Sequence, residues 1–271
     1  MDLQLSGKTA LITGSSKGIG EAIARQLAAE GASVIVHGRD QALTERVATD
    51  IVSQGGIAYA VHGDLTSDQQ VLQLMHHAVQ AAGQIDILIN NAGGSGGVKQ
   101  SWTDTVPAAW LAAFDRNVLA ALRVSTAALP GMKLRQWGRI INISSLAASM
   151  PPPSAPDYSA SKAAVNAMTA SMAKACAADG VTVNAVSPGT IHSATLDARF
   201  RAVAAQRELA PPDAPWQQIE SAVLPLFAQV PMGRVGRVED IAAAVAFLAS
   251  PLAAYISGIN LRVDGAMSPV L

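Results

Sequence analysis

The chain has 271 residues, 50% hydrophobic and only 14% charged, which describes a folded domain with a large apolar core and excludes a disordered chain. Its 19 lysines and arginines against 20 acids give a formal net charge of -1 with no basic run, so a small molecule rather than nucleic acid is the expected partner. The mean hydropathy of +0.27 comes largely from alanine, and no apolar stretch approaches the roughly 20 residues of a spanning helix, so a soluble protein with no membrane partner is expected. The one cysteine, Cys176, cannot pair within the chain and leaves no cysteine framework for a metal; with no export signal at the start, a cytoplasmic location and no metal site are expected.

Short β-branched runs alternate with alanine-rich helical stretches, the pattern of βαβ units stacking into a parallel sheet. The first predicted strand, 8–13, meets a predicted helix, 18–30, through Thr13-Gly14-Ser15-Ser16-Lys17-Gly18-Ile19-Gly20. Here Gly14 permits a tight turn, Gly18 lets the backbone approach a pyrophosphate, and Gly20 allows close helix packing, while the helix N-terminus offers free N–H groups. Taken alone, the three glycines also suit an ordinary βα turn.

A second strand, 33–37, ends on Gly38-Arg39-Asp40 before a helix at 40–54, where Asp40 suits either a helix cap or an inward turn. A third strand, 57–62, precedes Asp64-Leu65 and a helix at 67–82; a fourth, 85–90, runs into Asn90-Asn91-Ala92-Gly93. The stretch Gly94-Ser95-Gly96-Gly97 is conformationally permissive. A long helix over 107–135 is expected to kink or break at Pro130. Glycines at 31, 55, 83 and 180 mark helix ends.

The fifth strand, 138–144, leads to Ser145, whose hydroxyl lies at the carboxyl edge of the sheet, with Ser144 as its competitor. Met150-Pro151-Pro152-Pro153 makes a stiff loop before a helix at 157–179, where Tyr158 and Lys162, four residues apart, share one face. A nearby ammonium favours phenolate, which would make the tyrosine usable as an acid or base; tyrosine and lysine at this spacing also arise by chance on amphipathic helices. After a sixth strand, 181–187, and Pro188-Gly189, residues 190–236 interrupt the rhythm with two short helices near 195–208 and 215–228 around Ala210-Pro211-Pro212. A segment of that length at a strand's carboxyl end reads as a substrate lid, or else as a surface excursion. A helix at 238–249 and a strand at 259–263 close the chain.

TGSSKGIG, Asp64-Leu65, Asn90-Asn91-Ala92-Gly93, Asn117, Ser145, Tyr158-Ser159-Ala160-Ser161-Lys162, Pro188-Gly189 and Val263-Asp264-Gly265 occur in order along nearly the whole chain. This pattern resembles the short-chain dehydrogenase/reductase family, in its compact branch with TGxxxGxG and YxxxK motifs, 3-oxoacyl-ACP reductase-like. The resemblance implies an α/β, three-layer, doubly wound Rossmann fold with a central parallel sheet of about seven strands and an inserted lid. It implies one NAD(P)-binding domain over 1–271, with the lid at about 190–236. The implied activity is hydride transfer between a nicotinamide cofactor and a carbonyl or alcohol, running as a ketone reductase or, in reverse, as a secondary-alcohol dehydrogenase.

The resemblance also assigns residues. Tyr158 gives the proton, Ser145 hydrogen-bonds the carbonyl oxygen, Lys162 lowers the tyrosine pKa and binds the nicotinamide ribose, and Asn117 holds a water in a proton relay. Asn117 also suits an amide that satisfies a helix irregularity. The cofactor is expected along Gly14, Ser16, Lys17, Gly18, Ile19 and Gly20, then Gly38, Arg39, Asp64, Leu65, Asn91, Ala92 and Gly93, and again at Tyr158, Lys162, Pro188, Gly189 and Ile191. Asn90 and Asn91 also suit simple turn bonding. Gly38 stands where NAD-preferring members carry an acid; glycine leaves room for a 2′-phosphate that Arg39 and Lys17 can pair with, so NADP(H) is expected over NAD(H), although both cations also suit plain surface positions.

Substrate-pocket candidates are Ser145, Leu146, Met150, Tyr158 and His192, with Phe200, Trp216 and Phe227 of the inserted segment; they are mainly apolar, which suits a hydrophobic ketone. A departure from the family is Ala148, where glycine is common. A homotetramer is implied, with 107–135 and 157–179 packing across subunits and Val263–Leu271 near a neighbour. An NAD-dependent catabolic dehydrogenase and a non-catalytic dinucleotide-binding relative are the alternatives.

Overall fold

A computed structural model describes residues 1–96, 102–103, 105–211 and 213–269; Gly97, Pro212, Val270 and Leu271, named above, lie outside the described residues. Seven parallel strands form one sheet: β1 (Thr9–Ile12), β2 (Ser33–Gly38), β3 (Ile57–His62), β4 (Ile87–Asn90), β5 (Gly138–Ile143), β6 (Val181–Pro188) and β7 (Asn260–Val263), in spatial order β3-β2-β1-β4-β5-β6-β7. The order reverses between β1 and β4, which opens the crevice at their carboxyl ends where doubly wound sheets place ligands. The central strands are apolar on both faces because both are covered. Alternate residues divide between two cores: Ile12, Val34, Ile87 and Ile89 pack under α1 (Gly18–Ala29), α2 (Gln41–Ser53) and the late helix over Val238–Ala249. Leu11, Ile35, Leu88 and Ile140 pack on the opposite side, against α3 (Asp68–Ala82) and the helices that follow β4 and β5.

The stretch expected as one helix over 107–135 is α4 (Pro107–Phe114), a π-helical turn at Asp115–Leu119, and α5 (Ala120–Leu134). The interruption thus falls at Asn117 rather than at Pro130, through which α5 continues. A proline removes one backbone bond, and here Val124, Ala128 and Met132 on the buried face anchor the helix on both sides of it. Helix α6 (Pro156–Cys176) ends in a short 3-10 turn, and Gly180 at φ +70 reverses the chain into β6.

Residues 190–236 hold α7 (Ala194–Gln206) and α8 (Trp216–Phe227) before α9 (Val238–Ala249). The two ends of the insertion meet in a bridge between Ile191 and Gly236, with His192 N donating to Gly236 O at 2.8 Å. Between them, Phe200, Ala204, Ile219, Val223 and Leu224 form a separate apolar cluster. Among the described residues no helix is long and apolar enough to cross a membrane.

Candidate active site

The turn after β1 is built by side chains that convert strand ends into a rigid platform. Thr13 Oγ1 donates to Ile89 O at 3.2 Å and accepts the N–H groups of Asn91 and Ala92, each at 3.0 Å, while Asn91 Nδ2 donates to Thr13 O and Gly14 O. Gly14 sits at φ +63, and a Cβ there would lie 2.9 Å from Ala92 Cα, so only glycine fits. Gly20 is equally confined, against Gly14 O and Asn91, which draws α1 onto the sheet. Gly18, at φ +60, instead faces open space at the N-terminus of α1. Backbone N–H groups around an open cradle at a helix start suit a pyrophosphate.

Sequence reasoning missed His37. Its Nδ1 accepts the Gly14 N–H at 3.1 Å, which leaves Nε2 carrying the proton and donating to Gly63 O at 3.1 Å. Its backbone exchanges bonds with Ser15, whose Oγ accepts from His37 N at 2.9 Å. One buried imidazole therefore fastens the ends of β2 and β3 to the glycine turn. Burial pushes its pKa down to about 4, so the ring is neutral at physiological pH. The signal available in the sequence was a histidine at the tip of an otherwise apolar strand.

Gly38 ends β2 in a buried position, and a Cβ on it would stand 2.9 Å from Ser16 Oγ. Lys17 and Arg39, the sequence neighbours of these two residues, are both exposed. Asp40 is the N-cap of α2, accepting Leu43 N–H at 3.0 Å, so of its two readings the cap is the one formed. Beyond β3, Asp64 accepts both the N–H and the hydroxyl of Thr66, bonds that hold its carboxyl below the usual range, with Arg39 lowering it further. Leu65 is buried behind it.

The exit of β4 joins this platform to a second cluster. A Cβ on Gly93 would stand 3.6 Å from Lys162 Nζ and overlap Asn117 Oδ1. Asn117, 2% exposed, accepts from Gly94 N at 2.8 Å and donates to Ala113 O at 3.0 Å and Ser161 Oγ at 3.2 Å. The Ala113 carbonyl lies one turn back, so the amide serves the backbone of the π-helical turn while facing the cluster. Ser161, whose hydroxyl donates to Tyr158 O at 2.7 Å, is a second residue the sequence reading did not single out.

Ser144 and Ser145 divide their tasks. Ser144, buried, donates to Lys162 O at 3.3 Å and so anchors α6. Ser145 accepts from Ala147 N at 3.1 Å and lies beside the Tyr158 phenol, whose pKa it lowers. Lys162 is 4% exposed, donates to Ile143 O at 2.7 Å, and lies 5.9 Å from the Tyr158 ring centroid. Desolvation lowers its pKa to about 8. Burial raises the Tyr158 phenol above its ordinary value, and Ser145 pulls it only partly back.

Leu146 is buried and Met150 half-buried, on the loop between Ser145 and Tyr158. Pro188 ends β6, Gly189 N donates to Val263 O at 3.0 Å, and Ile191 packs into the core under α1 and α9. His192 belongs to the packing of the insertion: its ring lies 4.4 Å from that of Trp216 and its Nε2 3.7 Å from Asp197. Phe200 is 0% exposed and packs on Trp216 and Phe227, so it fills the core of the insertion and does not line a substrate pocket.

Comparison with known proteins agrees with this geometry. Residues 8–204 match the family model described as short chain dehydrogenase. The chain is 35% identical to the 3-oxoacyl-[acyl-carrier-protein] reductase FabG of Pseudomonas aeruginosa, over 98% of this chain and 99% of that protein. Among solved structures, L-sorbose reductase from Gluconobacter frateurii complexed with NADPH and L-sorbose superposes with a TM-score of 0.90 at 30% identity, covering 100% of both chains. A 7α-hydroxysteroid dehydrogenase complexed with NADH and 7-oxo glycochenodeoxycholic acid gives 0.84 at 32% identity, covering 100% of this chain and 98% of that one. The protein belongs to the short-chain dehydrogenase family and is an NAD(P)-dependent oxidoreductase acting on CH–OH and C=O groups.

Proposed function

We propose that the protein is an NADPH-dependent reductase of a small, hydrophobic ketone that also runs in reverse as a secondary-alcohol dehydrogenase. The observation that carries this reading is the Tyr158 phenol beside Ser145, with a pKa raised by burial: it stays protonated at neutral pH, the form that gives a proton to a carbonyl oxygen. Ser145 supports that oxygen as negative charge develops on it. The bound nicotinamide supplies the hydride. Lys162 and Asn117, brought together at Gly93, hold the nicotinamide-ribose side and the route by which Tyr158 is reprotonated.

Cofactor preference for NADP(H) rests on the exposed Lys17 and Arg39, the sequence neighbours of Ser16 and Gly38, and on a glycine rather than an acid at position 38. The NADPH-bound sorbose reductase relative supports it; the NADH-bound steroid dehydrogenase relative keeps NAD(H) as the second reading. One dinucleotide-binding domain with 190–236 as its lid is part of the proposal, supported by the pinched neck at Ile191–Gly236 and the separate core of that segment. Leu146 and Met150 lend the pocket its apolar character. A cytoplasmic setting suits the buried free thiol of Cys176.

A homotetramer completes the reading. Leu111, Leu119 and Leu122 are exposed along α4, the π-helical turn and α5, and Phe247, Leu252, Tyr255 and Ile259 are exposed around α9 and the edge strand β7. Two separate apolar surfaces suit two kinds of subunit contact. The deciding experiment is a panel of aliphatic, aryl and β-keto carbonyls followed by NADPH absorbance and repeated with NADH. Turnover of apolar ketones with NADPH is expected; faster turnover with NADH favours the second reading, and no turnover with either overturns the assignment of a reductase.

A further inference from the structure

Gly38 is confined between α2 and the glycine turn. A Cβ at this position would overlap Thr44 Oγ1 and stand 2.9 Å from Ser16 Oγ and 3.0 Å from Ser16 Cβ. Thr44 lies in the first turn of α2, is 0% exposed, and is fixed: its hydroxyl donates to Asp40 O at 2.6 Å, one helical turn back. A β-branched side chain in a helix has few rotamers, and swinging this hydroxyl away would leave it buried without a partner. Its neighbourhood is tied down as well, because Asp40 caps the same helix through Leu43 N at 3.0 Å.

We infer that Thr44 is a specificity-determining residue: by filling the space a side chain at position 38 would need, it keeps that position glycine and so keeps the ribose-recognising carboxylate out of the cofactor site. Thr44 acts through Gly38 and need not touch the nucleotide. The substitution that would convert cofactor preference by placing an acid at the tip of β2 is therefore blocked by packing before charge is considered, and removing the Thr44 hydroxyl opens the way for it. This inference rests on the reading that the 2′ end of the adenosine ribose lies beside Gly38.

The test is a double-mutant cycle with two readouts, thermal unfolding of the unliganded enzyme and the Kd for NADPH and NADH from cofactor fluorescence. Gly38→Ala alone is expected to lower Tm by roughly 5 °C and to weaken NADPH binding roughly tenfold, the scale of overpacking a full site. In the Thr44→Ala background the same change should cost clearly less in both readouts, with the Ser16 contact left as the remainder. Gly38→Asp alone should bind neither cofactor well, and Gly38→Asp with Thr44→Ala should favour NADH. Additive Tm losses for Gly38→Ala and Thr44→Ala overturn the inference whatever the cofactors do. Coupled Tm losses with NADPH still preferred by the Gly38→Asp, Thr44→Ala enzyme overturn the placement of the ribose beside Gly38, and with it the specificity role of Thr44.

Discussion

The Lys162 ammonium donates to the Ile143 carbonyl at 2.7 Å and in doing so ties the first half of α6 to the exit of β5. No carboxylate contributes to its pKa, which burial alone lowers from 10.5 to about 8. The sign follows from proton binding: below pH 8 the folded and unfolded chains both carry the proton and the cost of burying the charge is complete. Between pH 8 and 10.5 the folded chain releases it first, so the stability contributed by this group rises with pH. The shift corresponds to about 3 kcal/mol, from which the loss of the Ile143 bond subtracts on the order of 1 kcal/mol. Lys162→Met should therefore be more stable than the parent at pH 7 in urea unfolding, with the advantage fading as pH approaches 10.5, while turnover is lost. An advantage that is absent at pH 7, or that grows with pH, contradicts this account.

Replacing Tyr158 by phenylalanine removes the proton donor and little else, since the ring keeps its packing and Ser145 keeps its bond from Ala147. The variant should fold, bind cofactor, and lose at least roughly two orders of magnitude in kcat. Near-normal turnover would show that the proton comes from another group.

Alcohol oxidation requires the opposite protonation state of the same residue. Because burial raises the phenol above its ordinary 10.0, the base form is scarce at neutral pH and oxidation should accelerate with pH throughout the range from 7 to 10. Ketone reduction, which needs the phenol, should stay level over that range in kcat. An oxidation profile that is flat above pH 8 would mean that the bound cofactor sets the tyrosine pKa and the protein's burial of it does not.

Much of this site was legible because its parts are local. A strand, three glycines and a helix specify the phosphate turn within eight residues, and Tyr158 and Lys162 share a helix face by spacing alone. The choice of Ser145 over Ser144 rests on its separation of 13 residues from Tyr158, which the family resemblance implies, and the two hydroxyls do take different partners. The sequence offered Asn117 as an amide satisfying a helix irregularity, but that the irregularity is a π-helical turn was not legible, because it depends on this buried amide reaching Gly94 and Ser161 from distant parts of the chain. The same holds for His37, whose partners Gly14 and Gly63 are contributed by two other strands' exits, and for Phe200, which the sequence could not distinguish as core of the insertion or wall of a pocket. Periodicity reports which face of an element is covered and says nothing of what covers it.

The neutral His37 predicts a weakness in acid. Its folded pKa of about 4 lies below the ordinary 6.5, so the unfolded chain binds the proton first and stability falls as pH drops from 6.5 toward 4. The loss attributable to this residue reaches about 3 kcal/mol. Glutamine, which offers both an acceptor and a donor without titrating, should flatten that part of the stability curve while raising the KM for cofactor more than it lowers kcat, since it is the glycine turn that His37 positions. A parallel acid slope in His37→Gln would assign the loss to other groups.

Cofactor choice gives the last prediction, at the position next to the confined glycine. Arg39 is exposed, so unlike Gly38 it can be exchanged without repacking, and its charge already acts on Asp64 and His37. Arg39→Asp replaces a cation suited to a 2′-phosphate by an acid that repels it and can accept from a 2′-hydroxyl. A charge-assisted bond contributes about 1.5–3 kcal/mol, so the ratio of kcat/KM for NADPH over NADH should fall by roughly one to two orders of magnitude, with the fold and the pH dependence of the tyrosine unchanged. Because the substitution touches neither Tyr158 nor Ser145, the change should appear in KM for the cofactor and leave kcat with NADH near the parent value. A ratio that does not move would place the 2′ end of the ribose away from the Ser16–Gly38 contact and return Arg39 to the role of a solvated surface charge.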